Sequence, residues 1–172
     1  CAINDVCGCV GGNTGNSESY CADTACPDNF SLSPQSTLTE FICVPDNFFY
    51  YVSTMQAGYI INSINSASII LETSNCAGPN DCDWVAAFNP NNDVCVGATM
   101  WDLSACNSNI CSINVGGVSG ESTSDYMPIG VSPIFKIYDT SENVYYEAIP
   151  SDNVPWSPGD MNIINELNLV LP

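Results

Sequence analysis

Cysteine usage constrains this chain more than any other feature. Eleven cysteines are spread over 172 residues that include no histidine. None of them forms a CxxC pair, whereas structural zinc sites normally combine such pairs with further cysteine or histidine ligands. The pattern therefore favours structural disulfides, which form in oxidising compartments. Because eleven is an odd number, at least one sulfur is free, intermolecular or paired outside this segment.

The cysteines are densest at the start of the chain. Residues 1–33 hold five of them among Gly, Asn, Ser and Asp, with few large apolar side chains. Such a segment cannot bury a core of its own and has to be held by disulfides. Pro27 and Pro34 mark a boundary, so the sequence predicts a stapled segment over 1–33 and a folded domain over 34–172. Two further pairs, Cys76 with Cys82 and Cys106 with Cys111, are close enough to close short loops.

From about Thr39 onward the sequence has the pattern of β-strands. Short runs rich in aromatic and β-branched residues alternate with turn-forming residues. Residues 89–93 and 140–143 each separate two such runs, which predicts two hairpins. The final stretch, 162–172, favours a strand, although its leucines and isoleucines also have helical spacing. The sequence therefore predicts an all-β fold, an Ig-like or jelly-roll β-sandwich of about ten short strands.

The net charge of −18 excludes several kinds of partner. The chain has nineteen acidic residues and a single basic residue, Lys136. Nucleic acids and anionic bilayers need lysine and arginine on the protein, so neither is expected as a partner. No run of about 18 apolar residues is present, so no membrane insertion is expected. The acidity favours solubility, divalent cations or cationic partners.

Two stretches carry a resemblance to a bacterial domain. DWVAAFNPNNDVCVGATMWD (83–102) and PIFKIYDTSENVYYEAIPS (133–151) resemble an extracellular domain of large secreted proteins from marine and environmental bacteria. CGCVGGN (7–13) is similar, more loosely, to the Cys/Gly repeats that precede that domain. The resemblance implies a secreted or cell-surface β-sandwich and implies no activity. Cys76, Cys82 and the insertion 74–81 depart from the pattern.

Catalytic machinery is not recognisable in the sequence. A hydrolytic triad lacks its histidine base, and without His, Arg or a second Lys little is available to lower the pKa of a cysteine nucleophile. No glycine-rich phosphate loop contains a lysine. Carboxylates are plentiful enough for a glycosidase, but no pair of them stands out. We therefore expect no enzyme.

Calcium is the cofactor that the composition can support. Hard cations bind carboxylates, amide oxygens and backbone carbonyls in loops rich in Asp and Asn. Asp81 and Asp83 lie in one such loop and Asp93 in another, so these three residues are the predicted metal ligands. The alternative is that these Asp and Asn residues only form turns.

Two kinds of function remain for an acidic, secreted, disulfide-bonded module. The first is a structural cell-surface or filament subunit that self-associates through the N-terminal segment and the C-terminal strand. In that case the odd cysteine would form an intermolecular disulfide, drawn from Cys1, Cys7, Cys9, Cys21 or Cys26. The second is a module that binds carbohydrate or another ligand through exposed aromatics such as Trp156. If the terminal strand instead closes its own sandwich, the argument for assembly weakens.

Overall fold

The computed structural model describes residues 4–5, 8–9, 26–36, 42–66, 69–106 and 110–171. Almost all regular structure in these residues is β, and two short 3₁₀ helices lie at Asp46–Phe48 and Glu121–Thr123. The strands are β1 (Asn4–Asp5), β2 (Gly8–Cys9), β3 (Phe30–Leu32), β4 (Cys43–Pro45), β5 (Gln56–Ile61), β6 (Ile64–Asn65), β7 (Trp84–Asn89), β8 (Val94–Met100), β9 (Cys111–Gly116), β10 (Ile134–Asp139), β11 (Val144–Pro150), β12 (Met161–Ile164) and β13 (Leu167–Val170). Within the described residues, no helix is long and apolar enough to cross a membrane.

Two sheets form the body of the sandwich. The larger has six strands in the order β6-β13-β11-β10-β7-β8, and the smaller has three in the order β12-β5-β9. A hairpin of β3 and β4 and a separate pair of β1 and β2 complete the pairing. The all-β sandwich of short strands that the sequence predicted is confirmed.

Strand β7 lies at the centre of the packing, with all six of its residues buried. Val85 and Ala87 belong to the main core, which the six-stranded and three-stranded sheets share. Trp84 and Phe88 point to the other face and belong to a second core that includes Phe30 of β3. Because neighbouring residues of a strand face opposite sides, burial on both faces explains why WVAAF is a continuous apolar run.

Both predicted hairpins are present. Strands β7 and β8 pair antiparallel around residues 90–93, and β10 and β11 pair antiparallel around residues 140–143. Each turn ends on a residue in the left-handed region, Asp93 with φ 57° and Asn143 with φ 55°. Asp and Asn tolerate this conformation better than most residues, which explains the turn signal in the sequence.

The predicted boundary at residue 33 runs through a packed part of the molecule. A disulfide joins Cys26 to Cys43, and β3 pairs with β4 across the same boundary. Phe30 packs edge-to-face against Trp84 and Tyr138 of the large sheet. Residues 26–32 therefore belong to the sandwich, held there by the disulfide and by aromatic contacts.

The C-terminal residues form two strands instead of one. Strand β12 pairs with β5 in the small sheet, whereas β13 lies between β6 and β11 in the large sheet. Leu167 and Leu169 of β13 are part of the main core. The terminal strand thus closes its own sandwich, and it is not an unpaired strand available to another copy.

The disulfides confirm both predicted short loops, Cys76–Cys82 and Cys106–Cys111. Among the described cysteines, Cys95 alone carries a free thiol, and it is buried in the second core. Cys26 is bonded to Cys43 and so does not supply the predicted intermolecular bridge. The side chains of the other four proposed donors, Cys1, Cys7, Cys9 and Cys21, lie outside the described residues.

Candidate metal centre

Three carboxylates meet where β7 begins and β10 ends. Antiparallel pairing sets Tyr138 opposite Trp84, so the next residues, Asp139 and Asp83, become neighbours. Glu72 joins them from the preceding loop, where its carbonyl oxygen accepts a hydrogen bond from the Asp83 backbone N–H at 2.8 Å. One ligand oxygen from each of Glu72, Asp83 and Asp139 lies within 4.8 Å of the other two. We call these three residues the carboxylate cluster.

Backbone and hydroxyl groups hold the Asp83 carboxylate in place. Its Oδ1 accepts hydrogen bonds from the Thr140 N–H at 2.9 Å and from Thr140 Oγ1 at 3.1 Å. Its Oδ2 accepts one from the Glu72 N–H at 2.8 Å. An oxygen with two lone pairs that accepts one hydrogen bond can still bind a cation, so Oδ2 of Asp83 remains a possible ligand.

The Asp139 carboxylate caps its own turn through one oxygen. Ser141 Oγ and the Glu142 N–H both donate to Oδ1 of Asp139 at 2.9 Å. The other oxygen, Oδ2, takes no part in these bonds. The turn therefore fixes the orientation of Asp139 and leaves one oxygen available for a ligand.

One oxygen of the Glu72 carboxylate has no hydrogen-bond donor among the described residues. Glu72 Oε2 is enclosed by protein and accepts no hydrogen bond from the part of the chain that the structure describes. Buried polar atoms are nearly always paired, and an unpaired charged oxygen is more costly than a neutral one. A proton donor or a cation beside this oxygen would satisfy it.

Electrostatics make the carboxylate cluster costly at neutral pH. Asp83 and Asp139 are each only 1% exposed. The pKa of Asp83 is raised to about 6, mainly by burial and also by the nearby charges of Asp139 and Glu72, while the backbone hydrogen bonds from Thr140 and Glu72 lower it. Lys136, the only lysine or arginine in the chain, instead binds Asp93 Oδ1 at 2.7 Å. A proton or a metal ion is therefore needed to balance the charge.

A cleft opens beside the carboxylate cluster. Its volume is about 450 Å³. Glu72 and Asp139 are part of its wall, so the carboxylate cluster adjoins the cleft. The wall combines carboxylates and a hydroxyl with apolar and aromatic side chains: Ile69, Ile70, Glu72, Asp139, Ser141, Glu142 and Tyr146.

The three residues predicted as metal ligands do not form one site. Asp83 lies in the carboxylate cluster. Asp81 is exposed, and its Oδ2 accepts a hydrogen bond from the Gly78 N–H at 2.6 Å. Asp93 follows the far end of β7, about 20 Å from Asp83 at the usual rise per residue, and is paired with Lys136. The turn interpretation therefore describes Asp81 and Asp93 better than the metal interpretation.

Sequence reasoning missed Glu72 and Asp139. A signal existed for Asp139, because it precedes its turn just as Asn89 precedes the turn of the other hairpin. Pairing β10 antiparallel to β7 would have placed it beside Asp83. Glu72 lies outside the regular strands, and no motif distinguishes it from the other acidic residues.

The aromatic platform expected for a carbohydrate module is mostly inside the protein. Trp84, Trp101 and Trp156 are all buried. Trp156, predicted as the exposed one, is 1% exposed, and its Nε1 donates to the Val115 carbonyl at 2.9 Å. Its Pro-rich loop folds over the core instead of facing solvent, which corrects that prediction.

The fold and the carboxylate cluster define the class of this protein as a disulfide-bonded β-sandwich with a buried acidic centre. No protein-family model, curated protein or solved structure matches the chain. The resemblance to the bacterial extracellular domain therefore stays a prediction. Function has to be inferred from the geometry of the carboxylate cluster and the cleft.

Proposed function

We propose that this protein is a non-catalytic, extracellular β-sandwich module that binds Ca²⁺ at Glu72, Asp83 and Asp139. The observation that carries the proposal is the buried Glu72 Oε2 without a hydrogen-bond donor, beside two buried carboxylates. A divalent cation would satisfy that oxygen and offset the repulsion between the three charges.

The spacing of the oxygens suits calcium. Oxygen ligands lie about 2.3–2.6 Å from Ca²⁺, so two ligands on opposite sides of the ion are about 5 Å apart. One oxygen from each of the three carboxylates lies within 4.8 Å of the others. A Ca²⁺ ion therefore fits among them without a large rearrangement of the backbone.

The ion would have a structural role. It would link the loop that carries Glu72 to the turn after β10, two segments otherwise joined through hydrogen bonds between Asp83 and its neighbours. Extracellular calcium modules typically bind with dissociation constants of about 10⁻⁴–10⁻³ M, which matches calcium levels outside cells. The three described disulfides are consistent with a non-reducing environment.

Several features support a non-catalytic role. The chain has no histidine, and its single lysine is engaged with Asp93. The free thiol of Cys95 is buried, and burial raises its pKa to about 12, which suppresses the nucleophilic thiolate. What the site offers is a set of oxygens for a cation.

Calcium-dependent thermal stability tests the proposal. Ca²⁺ at about 100 times its dissociation constant should stabilise the wild type by about 2.7 kcal/mol. For a chain of this size the melting temperature should rise by about 5–10 °C relative to EDTA. Asp139→Asn keeps the Oδ1 acceptor of the turn and removes one charged ligand, so its melting temperature should not respond to Ca²⁺.

Asp81→Asn is the matched control, because Asp81 is an acidic loop residue close in sequence but outside the carboxylate cluster. It should respond to Ca²⁺ as the wild type does, and calorimetric titration should give the same stoichiometry. An unchanged melting temperature of the wild type with Ca²⁺, or an equal rise for Asp139→Asn, would refute the site.

A further inference from the structure

We propose that the cleft beside the carboxylate cluster binds a neutral carbohydrate, whose hydroxyl oxygens complete the coordination of the Ca²⁺ ion. This inference rests on the proposed calcium site and names the ligand that the site would take. It requires that the ion have open coordination positions, that these face the cleft, and that the cleft suit a sugar.

The protein alone does not fill the coordination shell of calcium. Oδ1 of Asp83 and Oδ1 of Asp139 each already accept two hydrogen bonds, so each residue offers one remaining oxygen. With both oxygens of Glu72, the three carboxylates supply at most four ligands. Calcium takes six to eight, so about two to four positions remain for external oxygens.

The open positions face the cleft. Asp83 does not line the cleft, whereas Glu72 and Asp139 form part of its wall. An external ligand therefore approaches the ion from the cleft side. Its size is limited by a volume of about 450 Å³, which is in the range of small-ligand sites.

The net negative charge of the site favours a neutral ligand over an anion. Three carboxylates and one Ca²⁺ leave a net charge of −1 at the centre, and Glu142 adds another carboxylate to the wall. Lys136, the only lysine or arginine in the chain, lies opposite Ala86 in the middle of β7, and its ammonium group binds Asp93 instead of lining the cleft. Phosphates, sulfates and acidic sugars are therefore disfavoured relative to neutral hydroxyls.

The rest of the cleft wall suits a sugar, which has both apolar C–H groups and polar hydroxyls. Tyr146 and Ile69 are half-buried at the cleft, and Ile70 is 81% exposed, so apolar surface is available to the C–H groups of a ring. Glu142 is exposed and can accept hydrogen bonds from hydroxyls that do not reach the ion. An apolar wall with a few polar groups is the usual composition of a small-ligand site.

Terbium luminescence tests the inference directly. Tb³⁺ replaces Ca²⁺ at oxygen sites, and its emission lifetimes in H₂O and D₂O report how many water molecules remain on the ion. The probes are mannose, galactose and glucose, which present adjacent hydroxyls in different orientations, and galacturonate as an acidic comparison. At least one neutral sugar at tens of millimolar should displace water from the bound ion, and should do so better than galacturonate.

Cleft variants separate this site from general effects. Ile70→Ala removes an exposed apolar contact without endangering the fold and should weaken sugar binding several-fold. Ile129→Ala is the matched control, since Ile129 is 71% exposed and does not line the cleft. Tyr146→Ala should abolish sugar binding, and its melting temperature should still respond to Ca²⁺.

The two proposals fail in different ways. If Tb³⁺ and Ca²⁺ do not bind, the calcium site itself is wrong. If they bind but no neutral sugar changes the water count, or Ile70→Ala and Ile129→Ala behave alike, the carbohydrate inference is overturned and the calcium site stands. Stronger water displacement by galacturonate would also overturn it, in favour of an acidic ligand.

Discussion

The two hairpins of the large sheet share one layout and differ in the charge at their turns. In both, a buried strand ends on a polar residue, Asn89 or Asp139, whose side chain accepts a hydrogen bond from the backbone of the turn. Asn89 also donates through Nδ2 to the carbonyl oxygens of Asp125 and Tyr126 at 2.9 and 3.2 Å. Asp139 has no such donor and instead faces two other carboxylates.

The comparison shows that the turn does not require a carboxylate. A neutral amide precedes the first turn, which likewise ends on a left-handed residue. That turn also has a cation, because Lys136 binds Asp93 and lies 4.4 Å from the centre of the Phe88 ring. The second turn begins with a buried carboxylate that the chain's only lysine does not contact, and we propose a metal ion as its counter-charge.

The largest loss of stability that we expect comes from a substitution in the first hairpin, compared with one at the equivalent position in the second. Gly97 is the fourth residue of β8, and Glu147 is the fourth residue of β11. A Cβ atom on Gly97 would lie 2.0 Å from the Asn114 carbonyl oxygen of β9. Gly97→Ala should therefore reduce the free energy of unfolding by about 3 kcal/mol or more, since backbone must move to make room.

Glu147→Ala is the matched substitution in the second hairpin. Glu147 is exposed, so the change should alter the unfolding free energy by less than about 0.5 kcal/mol in urea denaturation. Similar losses for the two variants would mean that the close contact between β8 and β9 does not limit the first hairpin.

The next effect concerns pH and the carboxylate cluster. The folded pKa of Asp83, about 6, lies above the ordinary value of 3.8, so the folded state binds more protons between these values. In EDTA this group should therefore lower the unfolding free energy as pH rises from about 4 to about 7, by on the order of 2 kcal/mol. Saturating Ca²⁺ should remove this loss, because the ion favours the ionised carboxylate.

Asp139→Asn tests the same comparison, because it places before the second turn the residue, asparagine, that precedes the first turn as Asn89. In EDTA it removes one of the charges that raise the pKa of Asp83, so the loss of stability with pH should be smaller than in the wild type. Denaturant unfolding at a series of pH values measures both curves. Parallel curves for the two proteins would show that Asp139 does not influence Asp83.

Apart from the Glu147→Ala control, the smallest effect should come from the charge at the first turn. Lys136→Met removes the partner of Asp93, whose side chain is 63% exposed and can be solvated by water instead. The loss of stability should be about 0.5–1 kcal/mol and should shrink in high salt. A loss as large as that for Gly97→Ala would mean that this exposed pair is energetically central.

The sequence predicts the parts of this fold that depend on neighbours in the chain. The hairpins follow from turn residues between apolar runs, and the loops closed by Cys76–Cys82 and Cys106–Cys111 follow from short separations. The burial of β7 on both faces agrees with its unbroken apolar run. Each of these signals lies within about 20 residues of chain.

The carboxylate cluster could not be predicted in the same way. Asp83 and Thr140, which share a hydrogen bond, are 57 residues apart, and only the register between β7 and β10 brings them together. The break between β12 and β13 was missed for a related reason. The chain changes sheets at residues 165–166, and apolar periodicity gives no information on which sheet a strand joins.

The buried thiol of Cys95 can report local opening of the second core. Cys95 lies in the second core together with Phe30 and Val44 of the hairpin that the Cys26–Cys43 disulfide closes. A thiol-alkylating reagent can reach it only when that core opens, so the labelling rate measures the free energy of this local event. Labelling that is faster than global unfolding would show that the second core opens locally while the rest of the molecule stays folded.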